Sequence, residues 1–170
     1  MKQQNNKSKN PESFNDEIQH PSGRGSGEMI EAALNFWFSN QEHIRSPFPE
    51  YIHDTLRTQT LDKFFDWTSN ISERAKKEIN DEIIAEKFEE ILFETAAAIV
   101  QTEDEKLTIL YPFMPRIGDV TKAKDLPEGE GKSEVVGRMH ARRGDYSFMN
   151  IKFKTIDTGK EWETEFELPE

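Results

Sequence analysis

The 170-residue chain has no cysteine, so it can form no disulfide bond, zinc–thiolate site or thiol nucleophile. It also has no run of about 18 apolar residues, which is the length that a membrane-spanning helix requires. No apolar stretch follows its first lysines, as it would in a secretory signal peptide. We therefore expect a cytoplasmic protein that does not enter a membrane.

Positive charge is also scarce in this sequence. The chain has 22 Lys and Arg against 33 Asp and Glu, which gives a formal net charge of −11 and a sequence pI near 4.9. Proteins that bind duplex nucleic acid or anionic membranes rely on clustered Lys and Arg. The charge therefore argues against both as partners, and it is compatible with a basic protein partner.

Large apolar side chains are nearly absent from the first 27 residues, where only Met1, Phe14 and Ile18 occur. Such a segment buries too little apolar surface to offset the entropy that is lost when a chain becomes ordered. We therefore predict a disordered tail over residues 1–27 and a single domain over residues 28–170. The sequence as a whole supplies 12 Phe and 3 Trp for a core.

Helical periodicity dominates residues 28–103, where apolar residues recur at helical spacing in three segments. These segments predict helices over residues 28–40, from Pro49 onward, and from Ser72 to about residue 101, the last being the longest. The second helix is predicted to break near residues 58–60.

From residue 106 onward the apolar pattern changes to one that is typical of strands. The segment LTILYPFMP, residues 107–115, predicts a strand that Pro112 ends or confines to a sheet edge. Residues 118–132 predict a long polar loop. In the remainder, apolar and polar residues alternate, which predicts a β-meander.

Two turns determine the predicted register of the meander. A slip of one residue would place charged side chains in the core. We therefore pair Arg142 with Tyr146 across the first turn and Asp157 with Lys160 across the second. The first pairing also places Met139 in the core.

Together these patterns predict an α+β fold. About three N-terminal helices, one of them long, pack on one face of a C-terminal antiparallel β-meander of three to four strands. Residues 28–103 form the helical part of this single domain, and residues 106–170 form its β part.

No sequence motif favours a catalytic or metal site. Residues 129–133, GEGKS, lack the first glycine of a phosphate-binding loop, because Leu126 occupies its position. Glu50 and His53 have the spacing found in carboxylate-bridged di-metal bundles, but such sites need a second pair. No Ser or Thr combines with a His and an acid in a recognisable pattern. We therefore predict no cofactor, no metal and no catalytic residue.

Four glutamates at four-residue spacing form an acidic row on the longest predicted helix. They are Glu82, Glu86, Glu90 and Glu94. Like charges at this spacing destabilise an isolated helix by about 0.2–0.5 kcal/mol per pair, and only Lys87 lies near enough to relieve them. The row is either a solvated helix face or a docking strip for a basic protein partner.

Basic and aromatic side chains interleave on the outer face of the first predicted hairpin. They are Arg138, His140, Arg142, Tyr146 and Phe148. Such interleaving is typical of surfaces that bind single-stranded nucleic acid, and clustered exposed aromatics mark interaction surfaces. Alternatively, the first helix or the loop of residues 118–132 covers these side chains, and they belong to the core.

The sequence favours a non-enzymatic intracellular component of protein–protein interaction or assembly. It would bind through the acidic row, the hairpin face or both. One alternative is a binder of single-stranded nucleic acid or of an anionic ligand that uses the hairpin face. Another is a small enzyme with a site between the helices and the sheet.

Overall fold

The computed structural model describes residues 23–41, 44–122 and 131–169. These residues form four α-helices followed by a four-stranded antiparallel sheet, so the predicted α+β class is confirmed. They fall into two compact units, and the boundary lies between Val100 and Gln101. None of the described helices is long and apolar enough to cross a membrane.

The first unit contains three α-helices. They are α1 (Gly23–Phe38), α2 (His53–Ser69) and α3 (Asp81–Ile99). α1 begins inside the predicted tail, of which residues 1–22 lie outside the described part of the chain. α2 follows a 3-10 turn over Glu50–Ile52 and runs unbroken through residues 58–60, so the predicted break is wrong.

The start of α3 differs from the prediction because of a local cap. The side chain of Asn80 accepts a hydrogen bond of 2.9 Å from the backbone N–H of Ile83, and the helix begins directly after Asn80. Ser72, the predicted start, instead accepts a bond of 3.2 Å from the N–H of Ala75 and precedes a short 3-10 turn. Asn and Ser are both good N-caps, so composition alone did not decide between them.

Side chains from all three helices build the core of the first unit. Phe64 of α2 meets Phe88 of α3 edge to face, with ring centroids 5.3 Å apart. Trp37 of α1 meets Phe93 of α3 at 4.8 Å, and its indole N–H donates a 3.0 Å hydrogen bond to Glu89. These contacts bury one face of α3 and leave the opposite face to solvent.

A fourth helix, α4 (Glu103–Leu110), stands where we predicted a strand, so that prediction is wrong. Thr102 and Glu105 form a capping box. The Thr102 hydroxyl accepts from the Glu105 N–H at 3.1 Å, and the Glu105 carboxylate accepts from the Thr102 N–H at 2.9 Å. The box satisfies N–H groups that would otherwise lack partners at a helix start. The sequence contained this signal, but the short apolar run that follows it is equally compatible with a strand.

The second unit carries one antiparallel sheet whose strands follow the order of the chain. They are β1 (Val120–Lys122), β2 (Lys132–Arg143), β3 (Tyr146–Thr155) and β4 (Glu161–Glu167). The predicted meander is therefore confirmed. β1 lies within the predicted polar loop of residues 118–132, of which residues 123–130 are outside the described part.

The turn between β2 and β3 is shorter than predicted. Arg143 pairs with Tyr146, whereas we predicted that Arg142 would do so. The two-residue turn begins with Gly144 at a φ of 63°, a conformation that glycine adopts readily in tight hairpins. The predicted pairing at this turn is therefore wrong by one residue.

A β-bulge restores the predicted register further along β2. Val135 pairs with Phe153 as expected, because the pairing shifts between Val135 and Gly137 and leaves Val136 as an extra residue. Between the bulge and the turn, each β2 side chain lies on the face opposite to the predicted one. Met139, which we expected in the core, is consequently 62% exposed.

The register between β3 and β4 is displaced by two residues from the prediction. The Thr155 N–H donates to the carbonyl of Lys160, so the predicted pairing of Lys160 with Asp157 is wrong. Phe153 pairs with Trp162. Because side chains alternate with a period of two, this displacement leaves every side chain on its predicted face.

One face of the sheet is buried within the second unit, and we call it the inner face. Its core consists of Val135, Met149, Ile151, Phe153 and Leu168, with Leu107, Tyr111, Met114, Trp162 and Phe166 packed against it. Leu107 belongs to α4, and Tyr111 and Met114 follow it directly. α4 and the segment after it therefore cover the inner face, and the other side of the sheet is the outer face.

Candidate interaction surface on the sheet

The bulge separates the five residues of the predicted hairpin face onto two sides of the sheet. His140 pairs with a fully buried methionine of β3, which places His140 on the inner face. Arg138 and Arg142 share that face, because they lie two residues away on either side along the strand. Tyr146 and Phe148 lie on the outer face.

Arg138 is a buried structural residue, and its side chain is 0% exposed. Its Nε donates to the Asp104 carboxylate at 2.6 Å, and its Nη1 donates to the carbonyl of Pro115 at 3.1 Å. Its Nη2 donates to the Asp104 carbonyl at 2.7 Å and to the Thr108 hydroxyl. All three nitrogens are engaged by α4 and the segment that follows it. We therefore withdraw Arg138 from the candidate surface.

His140 and Arg142 remain exposed on the inner side of the hairpin end. The His140 ring lies 6.0 Å from the ring of Tyr111, measured between centroids. The Arg142 Nε donates to the carbonyl of Gly144 at 3.3 Å. Because the two aromatics lie on the opposite face, these five residues do not form the interleaved basic and aromatic platform that we predicted.

A different set of side chains shares the outer face at this end of the hairpin. It consists of Met139, Ala141, Arg143, Tyr146 and Phe148, which we call the hairpin patch. Ala141 and Phe148 are paired directly at its centre. Met139 is 62% exposed at one end and Tyr146 is 58% exposed at the other. Clustered exposed apolar side chains mark interaction surfaces more often than scattered ones do.

The side chain of Arg143 reaches from the turn end of the hairpin patch over its centre. Its guanidinium carbon is 5.1 Å from the centroid of the Phe148 ring. Its Nη1 and Nη2 donate to the two carboxylate oxygens of Glu165 on β4, at 2.8 and 2.6 Å. A cation–π contact at an exposed site contributes about 0.5–1 kcal/mol, and the bidentate pair fixes the guanidinium plane. Arg143 thus partly covers Phe148 and leaves Met139 and Tyr146 exposed.

The remainder of the outer face pairs lysines of β3 with glutamates of β4. Lys152 Nζ lies 2.5 Å from a carboxylate oxygen of Glu161. This hydrogen bond lowers the pKa of the Glu161 carboxyl and raises the pKa of the Lys152 ammonium. Ion pairs at such exposed positions add little to folding stability.

The acidic row lies along the exposed face of α3, as its spacing predicted. Its members are Glu82, Glu86, Glu90 and Glu94. Lys87 Nζ donates to Glu90 at 2.7 Å. The other face of α3 carries the buried contacts of the first unit, which explains why the glutamates face solvent. Binding of a basic partner by this row stays a prediction.

The side chain of His53, the first residue of α2, contacts the loop that precedes this helix. Its Nε2 lies 3.1 Å from the carbonyl oxygen of Phe48, and its ring stacks on Phe38 with centroids 4.4 Å apart. Glu50 lies in the adjacent 3-10 turn. Within the described residues, no group of three or more acidic or histidine side chains is arranged to hold a metal ion.

Sequence reasoning missed Met139, Ala141 and Arg143 as surface residues because it counted β2 without a bulge. Gly137 was the available signal, since a glycine inside a strand pattern often marks a bulge. The number of residues in the turn could not be derived from alternation, because a register shift of two residues leaves every side chain on the same face.

No protein-family model, no curated protein and no solved structure matches this chain. A fold class alone does not imply a function, because unrelated functions occur on similar folds. The chemistry of the exposed surfaces is therefore the basis for a functional proposal.

Proposed function

We propose that this protein is a non-enzymatic interaction or assembly component that binds a protein partner through the hairpin patch. The observation that carries the proposal is the exposure of Met139 and Tyr146 at the two ends of one apolar surface. Four strand steps separate Met139 from the Arg143–Tyr146 pair, so the patch extends about 13 Å along β2.

The residue types of the hairpin patch suit a protein interface. Tyr, Phe, Met and Arg are enriched at interface cores, whereas Lys and Glu are depleted there. Met139 offers a flexible thioether that adapts to irregular surfaces, and Tyr146 combines a large apolar ring with a polar tip. The lysines and glutamates along the rest of the outer face would then form the polar rim.

Pre-organisation of Arg143 favours the same conclusion. Its bidentate bonds to Glu165 and its contact with Phe148 already restrict its rotamers in the free protein. Binding would therefore cost less side-chain entropy than it does for a mobile arginine. Arginine is also among the residues that most often dominate the binding free energy of an interface.

The alternative of a single-stranded nucleic-acid binder has less support. Such sites combine a basic groove with aromatic platforms on one surface. Here Arg138 is buried, and His140 and Arg142 lie on the face opposite to Tyr146 and Phe148. The alternative of a small enzyme stays a prediction. No arrangement of catalytic side chains among the described residues favours it.

Site-specific photocrosslinking in source cells tests the proposed function. The photoreactive residue p-benzoylphenylalanine replaces Tyr146 in one variant and Ile156 in a matched control. Both positions are more than half exposed. Tyr146 begins β3, whereas Ile156 directly follows the other end of that strand, in the loop before β4 and remote from the patch. We expect discrete adducts from position 146 that are absent from position 156.

A second substitution makes the result specific to the hairpin patch. Met139→Asp, added to the position-146 variant, places a charge at the other end of the patch and should reduce the adducts strongly. Folding of each variant is checked by circular dichroism. Identical adducts from positions 146 and 156, or adducts that Met139→Asp leaves unchanged, would contradict the proposed function.

A further inference from the structure

β4 is the last strand of the sheet, so only one of its two edges is paired within the described part of the chain. The other edge carries backbone N–H and C=O groups that are directed away from β3. An exposed strand edge of this kind is a template for pairing with another extended chain.

The hydrogen-bond pattern identifies which residues supply the free edge. The Thr155 N–H donates to the Lys160 carbonyl at 2.8 Å, and the Leu168 N–H donates to the Ser147 carbonyl at 2.8 Å. Even-numbered residues of β4 therefore bond to β3, because bonded positions alternate along an antiparallel strand. The N–H and C=O groups of the odd-numbered residues are directed to the free edge.

Each of those odd-numbered positions carries a glutamate. They are Glu161, Glu163, Glu165 and Glu167, and all four are exposed. Their side chains lie on the outer face, since Glu161 and Glu163 pair with Lys154 and Lys152 of β3. The same residues thus provide both the free backbone groups and a line of carboxylates beside them, of which Glu161 and Glu165 also form ion pairs with Lys152 and Arg143.

This line of charge selects among possible edge partners. A second copy of β4 would bring glutamates close to glutamates, and like charges on adjacent strands are destabilising. A strand with Lys or Arg opposite the glutamates would instead form favourable cross-strand pairs. Its alternate residues would lie on the inner side beside Trp162 and Phe166, which are partly buried against the core.

The existing neighbour of β4 shows the pattern that fits. In β3, apolar and basic residues alternate over positions 151–154, in the order Ile151, Lys152, Phe153, Lys154. Lys152 forms a 2.5 Å ion pair with Glu161. A strand of the same alternation on the free edge would meet the same glutamates from the other side.

We propose that the free edge of β4 binds an extended basic segment of a partner protein by strand addition. The segment alternates Lys or Arg with apolar residues over the length of β4. This surface meets the hairpin patch at the ion pair between Arg143 and Glu165, but the test below leaves that pair in place, so either proposal can fail without the other.

The test measures fluorescence anisotropy of a labelled peptide that copies residues 148–155 of this chain, FMNIKFKT, with the full-length protein. A control peptide has glutamate at both lysine positions. We expect the basic peptide to bind at least about tenfold more tightly than the acidic one. No binding of the basic peptide at millimolar concentration, or equal binding of both peptides, would overturn the proposal.

Two further arms separate strand addition from simple charge attraction. The variant Glu163→Pro removes an outward N–H without breaking a bond to β3, and its fold is checked by circular dichroism. Because it also removes a charge, its affinity is compared with that of Glu163→Gln, which removes the charge and keeps the N–H. A peptide that is N-methylated at alternate residues blocks the same backbone bonds from the partner's side. The proline and the N-methylation should each weaken binding at least about tenfold. Unchanged affinity with the N-methylated peptide would show charge attraction alone and would overturn strand addition.

Discussion

The two faces of the sheet carry the same kinds of side chain in different roles. On the inner face, the side chain of Arg138 is fully buried and donates from all three guanidinium nitrogens. On the outer face, Arg143 of the same strand is 63% exposed and lies over Phe148. The first arginine bonds α4 to the sheet, and the second lies on a surface that is exposed to solvent.

A single extra residue in β2 produces this difference. Without the bulge, regular alternation from Val135 would place Arg138 on the outer face and Met139 on the inner one. A buried guanidinium is tolerated only where acceptors surround it, because an unpaired buried charge is very costly. The comparison teaches that an arginine's role follows from its face and its acceptors rather than from the residue type.

The largest expected contrast between the two faces concerns their phenylalanines. Phe153→Ala should lower the free energy of unfolding of the second unit by about 3–5 kcal/mol, because Phe153 is fully buried and stacks on Trp162. Phe148→Ala should lower it by about 1 kcal/mol, since that ring is only partly buried. Urea unfolding followed through the amide NMR signals of β3 measures both values. Equal losses would contradict the assignment of the two faces.

Substitution of the inner-face Arg138 should also destabilise the second unit more than substitution of the outer-face Arg143. Arg138→Met should lower the free energy of unfolding by about 3 kcal/mol, the low end for breaking a buried ion pair, because Asp104 stays 40% exposed. Arg143→Met should lower it by less than about 1 kcal/mol, as for other exposed ion pairs. The same urea measurement applies. A small loss for Arg138→Met would show that α4 does not depend on this arginine.

The capping box of α4 should contribute a smaller amount to the inner face. Thr102→Ala should lower the free energy of unfolding of the second unit by about 1 kcal/mol, because the Glu105 N–H loses its acceptor. Thr102→Ser keeps a hydroxyl in place and is the matched control, with an expected change near zero. A loss of the same size in both variants would point to packing of the threonine methyl group instead.

The smallest expected effect concerns the ion pair between Lys152 and Glu161 on the outer face. The Lys152→Gln variant should raise the pKa of the Glu161 carboxyl towards its ordinary value, because the hydrogen bond from the ammonium is removed. In the native protein this pKa lies below that of the unfolded chain. The stabilising contribution is therefore present above the unfolded pKa and is lost as pH falls through the folded pKa. Carboxyl-carbon NMR titration measures the shift, and an unchanged pKa would contradict the pairing.

The meander was predictable because alternation constrains which face each side chain occupies. The displacement of two residues between β3 and β4 changed no face, and Ile151 and Phe153 are buried as the pattern requires. The bulge at Val136 was not predictable from alternation, because it reverses the parity inside one strand. β3 contains no bulge, so its aromatics Tyr146 and Phe148 were correctly predicted to lie on the outer face. Their neighbours on β2 were assigned to the wrong face, because the bulge lies in that strand.

The helices show a different limit of sequence reasoning. The periodicity of α3 predicted its buried face and its exposed acidic row, but the start of the helix depended on which cap formed. For α4, a run of only eight residues carries too little periodicity to distinguish a helix from a strand. The capping box of Thr102 and Glu105 was the more reliable signal, because it satisfies specific backbone groups.

The most direct test of this account moves the photocrosslinker by one residue along β2. Met139 and His140 are consecutive and both exposed, and alternation along the strand places them on opposite faces of the sheet. The bulge determines that Met139 is the one on the outer face. We expect p-benzoylphenylalanine at position 139 to yield discrete partner adducts in source cells, and the same group at position 140 to yield none of them. The same adducts from both positions, or adducts from position 140 alone, would contradict the claim that the outer hairpin patch binds the partner.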